Sequence, residues 1–151
     1  MPNPSSSGFG QQQLMLLVLG IIIVGLAVVV GIQARDSSAK KANADYLLIE
    51  AVEIASSAQR WKMKPGQFGG GYHQVGFDGV ALEVLGYDPC VHHIYQTTVG
   101  EYQLVVNEAG IATVIGCSAQ YGNRVEVVIT GPDGSNDLTI SSIEVEHCSF
   151  F

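Results

Sequence analysis

The sequence predicts an α+β fold in which a long N-terminal helix packs on a C-terminal, four-stranded antiparallel sheet. Three features indicate this: nineteen residues without a polar or charged side chain at Leu14–Ile32, an apolar repeat at three- and four-residue steps over residues 47–61, and four β-branched segments after residue 100. The helix is predicted to be apolar in its first half and amphipathic in its second. The sheet then covers one face of the second half, giving a two-layer head on a stem, like a lollipop.

The apolar half is assigned to residues 9–34. At about 1.5 Å per residue, Leu14–Ile32 forms a helix of about 28 Å, close to the thickness of the hydrocarbon core of a bilayer. A secretory signal peptide fits poorly, because no basic residue precedes the run and the run is long. We therefore expect this segment to lie in a membrane or in an assembly that buries it.

The amphipathic half is assigned to residues 35–64. Its apolar side chains share one helix face, and charged side chains occupy the other sides. Pro65 and Gly66 end the helix, and Lys62 and Lys64 lie near the negative end of its dipole. The residues of the apolar face are Leu47, Leu48, Ala51, Ile54, Ala55, Ala58 and Trp61.

A glycine-rich connection, residues 65–100, follows the helix. Within it, Val80–Leu85 is predicted to form one or two helical turns that end at Gly86. Residues 101–151 are predicted to form the sheet and a C-terminal tail. The strands are expected at residues 101–107, 111–119, 124–130 and 137–145, in the order of a meander with turn-forming residues between them.

Charge is distributed unevenly along the chain. The net charge is −7, but residues 1–64 carry six basic and four acidic side chains, whereas residues 65–151 carry ten acidic side chains and Arg124. Phosphate contacts need lysine and arginine, so direct nucleic-acid binding by the acidic part is not expected. The acidic surface favours solubility, and it could meet the basic stem of a neighbouring copy.

The N-terminus carries a recognisable pattern. Gly8 and Phe9, a polar residue at Gln13 and the long aliphatic run from Leu14 resemble the N-terminus of type IV prepilins and pseudopilins. In that family a prepilin peptidase cuts after the glycine, and the new N-terminal residue, usually phenylalanine, is methylated. The resemblance, which covers about residues 8–34, implies a leader peptide at residues 1–8 and a mature N-terminus at Phe9. A cut after Gly10 is the alternative.

Two features depart from the family pattern. The fifth mature position is usually glutamate and is Gln13 here, so the residue can hydrogen-bond but cannot form a charge pair with a neighbour's N-terminal amine. The leader also lacks the basic residue that usually precedes the glycine.

The resemblance implies a structural subunit of an extracellular, type IV pilus-like filament. Its partners would be other copies of itself in a helical homopolymer, the prepilin peptidase and the pilus assembly machinery. It would lie in the inner membrane before assembly and on the cell surface afterwards. Alternatives are a single-pass membrane anchor that carries an exported binding module, and a pseudopilin of a type II secretion system. Besides Gln13, the expected assembly residues are Gly20 and Gly25, which allow close helix contacts, and Lys40 and Lys41, which would meet acidic heads.

No arrangement of a nucleophile with a base is evident, so the chain is not expected to be an enzyme or to need a cofactor. The run Gly69–Gly71 lacks the strand, helix and lysine of a phosphate-binding loop.

Three cysteines, Cys90, Cys117 and Cys148, are expected to gather at one edge of the meander. In an exported domain a disulfide is their natural use, and the odd count leaves one thiol over. The pair Cys90–Cys148 is favoured because both residues lie outside the strands, and Cys117–Cys148 is the alternative. Either pair would hold down the C-terminal segment, as type IV pilins commonly do.

Metal binding is considered at two places and assigned to neither. His92, His93 and His147 lie near the cysteines but do not follow a common zinc spacing. The turn that contains Asp133, Asn136 and Asp137 resembles the calcium-binding C-terminal loop of major pseudopilins. It supplies too few of the six to eight oxygen ligands that calcium takes, and an ordinary turn favours the same residue types.

Overall fold

The structure is a computed structural model that describes residues 7–88, 92–130 and 137–144. The chain divides into two compact units, Met1–Ala39 and Lys40–Phe151.

The predicted N-terminal helix is present as α1, Ser7–Met63. Every side chain from residue 10 to residue 38 is exposed to solvent, including Met15 at 70% and Ile21 at 64%. An 18-residue window of this helix has a mean hydropathy of 3.2 and is not buried at all within the chain. The first half of α1 is therefore long and apolar enough to cross a membrane, and nothing in the described part of its own chain covers it.

The second half of α1 supplies one wall of a hydrophobic core. Leu47, Ala51 and Ile54 are each at most 1% exposed, and their spacing of three and four residues keeps them on one face. They pack against side chains of the connection and the sheet, namely Phe77, Val80, Leu82, Tyr102, Ala112, Val114, Val125, Val127 and Ile129. The predicted α+β layering of residues 40–151 is thus confirmed.

Within the described residues, the sheet is antiparallel and has five strands in sequential order. They are β1 (Ile94–Gln96), β2 (Glu101–Val106), β3 (Ala112–Ser118), β4 (Asn123–Thr130) and β5 (Asp137–Glu144). The four predicted strands correspond to β2–β5. Strand β1 lies within the predicted connection and is not expected from the sequence, because three residues are too few to show the two-residue period of a strand.

The connection between α1 and the sheet is more ordered than its composition predicts. A 3-10 turn forms at Gly66–Phe68, and the expected short helix is present as α2, Leu82–Leu85. Gly86 ends α2 with a φ of 92°, the left-handed conformation that favours glycine.

The glycine run in the connection has a packing role. A Cβ at Gly71 would lie 2.2 Å from the Trp61 indole, and the indole Nε1 donates a hydrogen bond to the Gly69 carbonyl oxygen at 3.1 Å. Only a residue without a side chain fits this approach, so the run wraps the end of α1.

Candidate functional site

The predicted assembly residues of the apolar half make no contact within the described chain. Gln13 is exposed, and a Cβ built at Gly20 or Gly25 would have nothing within 4 Å. The predicted cleavage junction, Gly8–Phe9, lies within α1, and the side chains there are outside the description. Each of these positions remains a prediction about contacts with other molecules.

Lys40 and Lys41 lie where α1 joins the folded unit, and both side chains are exposed. The backbone beside them is held by buried amides. Asn123 donates from Nδ2 to the Lys40 carbonyl oxygen at 2.8 Å and to Asn43 Oδ1 at 2.9 Å, and Asn43 donates to the Val99 carbonyl oxygen at 3.2 Å. The backbone at the two lysines is therefore held in place, and their side chains are exposed to solvent.

Cys117 differs from its expected state. It lies on β3 on the opposite face from the core residue Val114, yet it is only 2% exposed, and it is disulfide-bonded. Because the chain has three cysteines, this bond leaves no place for the favoured Cys90–Cys148 pair, and that prediction is corrected. Cys90 and Cys148 themselves lie outside the described residues.

The register of the sheet shows which strand ends lie level with Cys117. Gathering all three cysteines at one edge assumed that the chain runs directly from Cys90 into β2. Instead β1 intervenes, and it runs antiparallel to β2, so its first residue, Ile94, pairs with Gln103 rather than with Glu101, the partner of Cys117. The last residue of β5, Glu144, pairs with Arg124, which itself pairs with Cys117. The end of β5, not the start of β1, therefore lies level with Cys117.

The described residues contain no group of three or more side chains that could hold a metal ion. His93 Nδ1 is 2.6 Å from Glu83 Oε1. Asp137 begins β5 opposite Thr130. The other weighed residues, His147, Asp133 and Asn136, fall outside the described ranges.

A cavity of about 140 Å³ lies between the second half of α1, the residues after α2, and β1. This tyrosine pocket was not anticipated from the sequence. The side chains that line it are those of Glu50, Glu53, Ile54, Tyr87, Tyr95 and Thr97.

Aromatic rings form one side of the tyrosine pocket. The ring centroids of Tyr87 and Tyr95 are 5.1 Å apart, and those of Tyr95 and Tyr102 are 6.4 Å apart. Tyr102 is held on β2 opposite Gly116 of β3, where a Cβ would lie 2.8 Å from its ring. Both separations are within the range of favourable aromatic pairs.

Oxygen atoms form the other side. Thr97 Oγ1 donates a hydrogen bond to Glu50 Oε2 at 2.9 Å, and Tyr87 Oη lies 3.3 Å from Ser57 Oγ. The Tyr102 hydroxyl is buried and makes no hydrogen bond of ordinary geometry within the described residues. Burial, with neighbouring Glu50 as the second cause, raises the pKa of this phenol far above its usual value. Tyr102 therefore stays neutral, as a buried hydroxyl beside Glu50 and Thr97.

The charges of the pocket are not balanced by this part of the chain. Within residues 7–88, 92–130 and 137–144, neither Glu50 nor Glu53 forms an ion pair. Arg60, further along α1, donates a hydrogen bond to Ser57 Oγ at 2.9 Å. Carboxylates beside aromatic faces attract cationic groups through both Coulomb and cation–π interactions. The arrangement is thus suited to binding a small cation.

In the sequence, Glu50 and Glu53 belong to the solvent-facing side of the predicted amphipathic helix. The sequence pattern does not indicate that the tyrosines lie together near them. The usable signal was weak: three of the six tyrosines, Tyr87, Tyr95 and Tyr102, fall within sixteen residues.

Comparison with known proteins gives no assignment: no protein-family model, no curated protein and no solved structure matches the chain.

Proposed function

We propose that this protein is the structural subunit of an extracellular, type IV pilus-like filament, assembled through the first half of α1. The observation that carries the proposal is the apolar stretch Leu14–Ile32, whose side chains are all exposed in the single chain. Burying one leucine, isoleucine or valine side chain contributes about 1.5–3 kcal/mol. A stretch of this length is therefore stable only in lipid or among similar helices.

The spacing of the glycines supports a bundle rather than an isolated membrane anchor. Successive residues of an α-helix are about 100° apart, so Gly20 and Gly25 point about 140° apart around the axis. Small residues let neighbouring helices approach closely. Because both positions are open within the chain, they offer two neighbours a close contact on different sides of one helix.

The membrane is the partner before assembly, and a prepilin peptidase would release the leader. Intact-mass measurement of the protein purified from its own cells tests this step. We expect the loss of residues 1–8 and the added mass of one methyl group on Phe9. A mass that still includes Met1 would contradict standard processing and favour an uncleaved anchor.

Assembly is tested by electron microscopy of material sheared from the cell surface. The double variant Gly20→Leu/Gly25→Leu should remain in the membrane but give no filaments, because two close helix contacts are lost. Val24→Leu is the matched control, since it enlarges a position that already has a side chain. Normal filament yield from the double variant would show that these glycines are not at helix contacts.

A second candidate, a single-pass membrane protein with an exported binding module, is favoured by the tyrosine pocket. It predicts an uncleaved chain and no filaments in the sheared fraction. A pseudopilin of a type II secretion system would instead be processed at Gly8–Phe9 without forming long surface filaments.

A further inference from the structure

We propose that the tyrosine pocket receives the ammonium group of Lys40 or Lys41 from a second copy of this chain. The inference rests on the proposed filament, and it assigns one of the contacts between its subunits. It combines the size, the charge and the surroundings of the pocket with the exposed lysines.

The size of the cavity limits its occupant. Pockets for drug-sized ligands and cofactors enclose about 300–1,000 Å³. The tyrosine pocket encloses about 140 Å³, enough for the end of one long side chain or an equally small organic cation.

Charge and ring geometry select a cation. Glu50 and Glu53 lack an ion-pair partner in the described part of the chain, and Tyr87 and Tyr95 line the same cavity. The buried Tyr102 hydroxyl adjoins Glu50 behind this lining. An ammonium group has three hydrogen-bond donors and a full positive charge, which match the two carboxylates that line the cavity.

The rim of the pocket favours a protein partner over a free amine. Tyr46 and Ile49 are 60% and 62% exposed, and each precedes one of the pocket glutamates by four residues on α1. Residues four apart are neighbours on a helix surface. Aromatic side chains are enriched in protein–protein interfaces, whose buried core is more apolar than the rest of the surface, so these exposed side chains favour a protein partner here.

Lys40 and Lys41 are suited to be the source. Both are exposed, and neither forms an ion pair within the described residues. Lys40 lies ten residues before Glu50, about 15 Å along the axis, so it does not reach the pocket of its own copy. Two parallel copies displaced by roughly that distance along α1 bring these groups level.

A titration of full-length protein in detergent micelles tests the chemistry of the pocket. Butylammonium chloride is added at constant ionic strength, with butanol as the neutral control, and the tyrosine ring signals are followed by NMR. We expect saturable shifts at Tyr87 and Tyr95 with the amine only. Glu50→Gln/Glu53→Gln should weaken binding by about tenfold or more, because two charges are lost.

Asp78→Asn/Glu108→Gln is the matched control, because it removes two exposed carboxylates that do not line the pocket. It should bind the amine as the native chain does. Equal binding by both double variants, or no saturable binding by native protein, would overturn the proposal.

Zero-length carbodiimide crosslinking tests the source of the ammonium group. Membranes or filaments are prepared from a mixture of ¹⁴N- and ¹⁵N-labelled copies, and amide-linked peptides are identified by mass spectrometry. We expect mixed-isotope peptides that join residues 40–41 to residues 50–53. The absence of mixed-isotope peptides overturns the second copy as the source, whatever the amine titration shows.

The two proposals fail separately. Lack of filaments in the sheared fraction counts against the filament, while mixed-isotope links in the membrane still support the lysine contact. Abundant filaments without those links would leave the filament standing and refute the contact.

Discussion

Residues 10–38 and residues 43–61 belong to the same helix, but they meet different surroundings. In the second stretch Leu47, Ala51 and Ile54 are buried under a sheet. In the first, side chains of equal apolarity are all exposed, and Gly20 and Gly25 face open space. Residues 43–61 of α1 are therefore packed within their own folded unit. Residues 10–38 are left uncovered by the described chain and need other molecules as packing partners.

This contrast separates two kinds of stability. The second stretch is stabilised by tertiary packing and should unfold cooperatively with the sheet. The side chains of the first are all exposed to solvent, so this stretch depends on lipid or neighbouring helices. Substitutions in residues 43–61 should therefore change the free energy of unfolding. Substitutions in residues 10–38 should instead change membrane insertion or assembly.

The largest difference is expected from a matched pair of truncations. Ile54→Ala should lower the free energy of unfolding of residues 40–151 by about 2–5 kcal/mol, because it opens a cavity in the core. Ile22→Ala, the same change in the exposed stretch, should leave it unchanged. Urea unfolding in detergent, followed by the fluorescence of the single tryptophan, Trp61, measures both. Equal losses would mean that the two stretches unfold as one unit.

A smaller difference is expected from added methyl groups. Gly71→Ala places a Cβ against the Trp61 indole and should cost about 1–3 kcal/mol through overpacking. Gly25→Ala meets no atom and should leave the same unfolding transition in place, with slightly greater helix propensity. Thermal unfolding monitored by circular dichroism and by Trp61 fluorescence compares them. If Gly71→Ala unfolds at the same temperature as the native chain, the connection can move away from α1.

The smallest difference is electrostatic. Hydrogen bonding from the main chain at Glu83, followed by the hydrogen bond with His93, lowers the pKa of this carboxyl below 4.5. A lowered pKa stabilises the fold above the pKa of the unfolded chain, and this contribution is lost as pH falls through the folded pKa. Lowering the pH should therefore slightly lower the urea concentration at which half of the native chain is unfolded. This decrease should be smaller in Glu83→Gln, which lacks the carboxyl. It should be unchanged in the control Glu108→Gln.

The apolar stretch sharpens the pH comparison, because Leu14–Ile32 contains no titratable side chain. Its helicity in detergent should stay constant over the same pH range. A helix signal there that falls with acid, in step with Trp61, would show that the two stretches are coupled.

Much of the fold was predictable because its signals are local. The length of the apolar run, the spacing of Leu47, Ala51 and Ile54, and the stop at Pro65 predict α1, and β-branched segments predict β2–β5. Strand β1 could not be predicted, because three residues are too few to show the two-residue period of a strand. Missing it also left the register of the sheet's first strand out of the predicted grouping of the cysteines.

The tyrosine pocket was not predictable for a different reason. Glu50 and Glu53 follow an ordinary solvent-face pattern, and their partners occur more than thirty residues later in the chain. Tyr102 lies beside Glu50 in the assembled fold, and the register of β2 on β3 sets its ring against Gly116. Register depends on the assembled sheet and is not visible in any single segment.

The buried Asn43–Asn123 hydrogen bond has a consequence for the timing of synthesis. The two residues are 80 positions apart, and chains are made at about 5–20 residues per second, so Asn43 waits about 4–16 s for its partner to be synthesised. Over that interval the core face of α1 has been made while β4, which covers part of it, has not. A nascent chain therefore carries two uncovered apolar surfaces: the apolar stretch Leu14–Ile32 and the core face of the second half of α1. The sheet later covers the second surface but not the first. Early insertion of Leu14–Ile32 into a membrane would keep the core face away from other nascent chains.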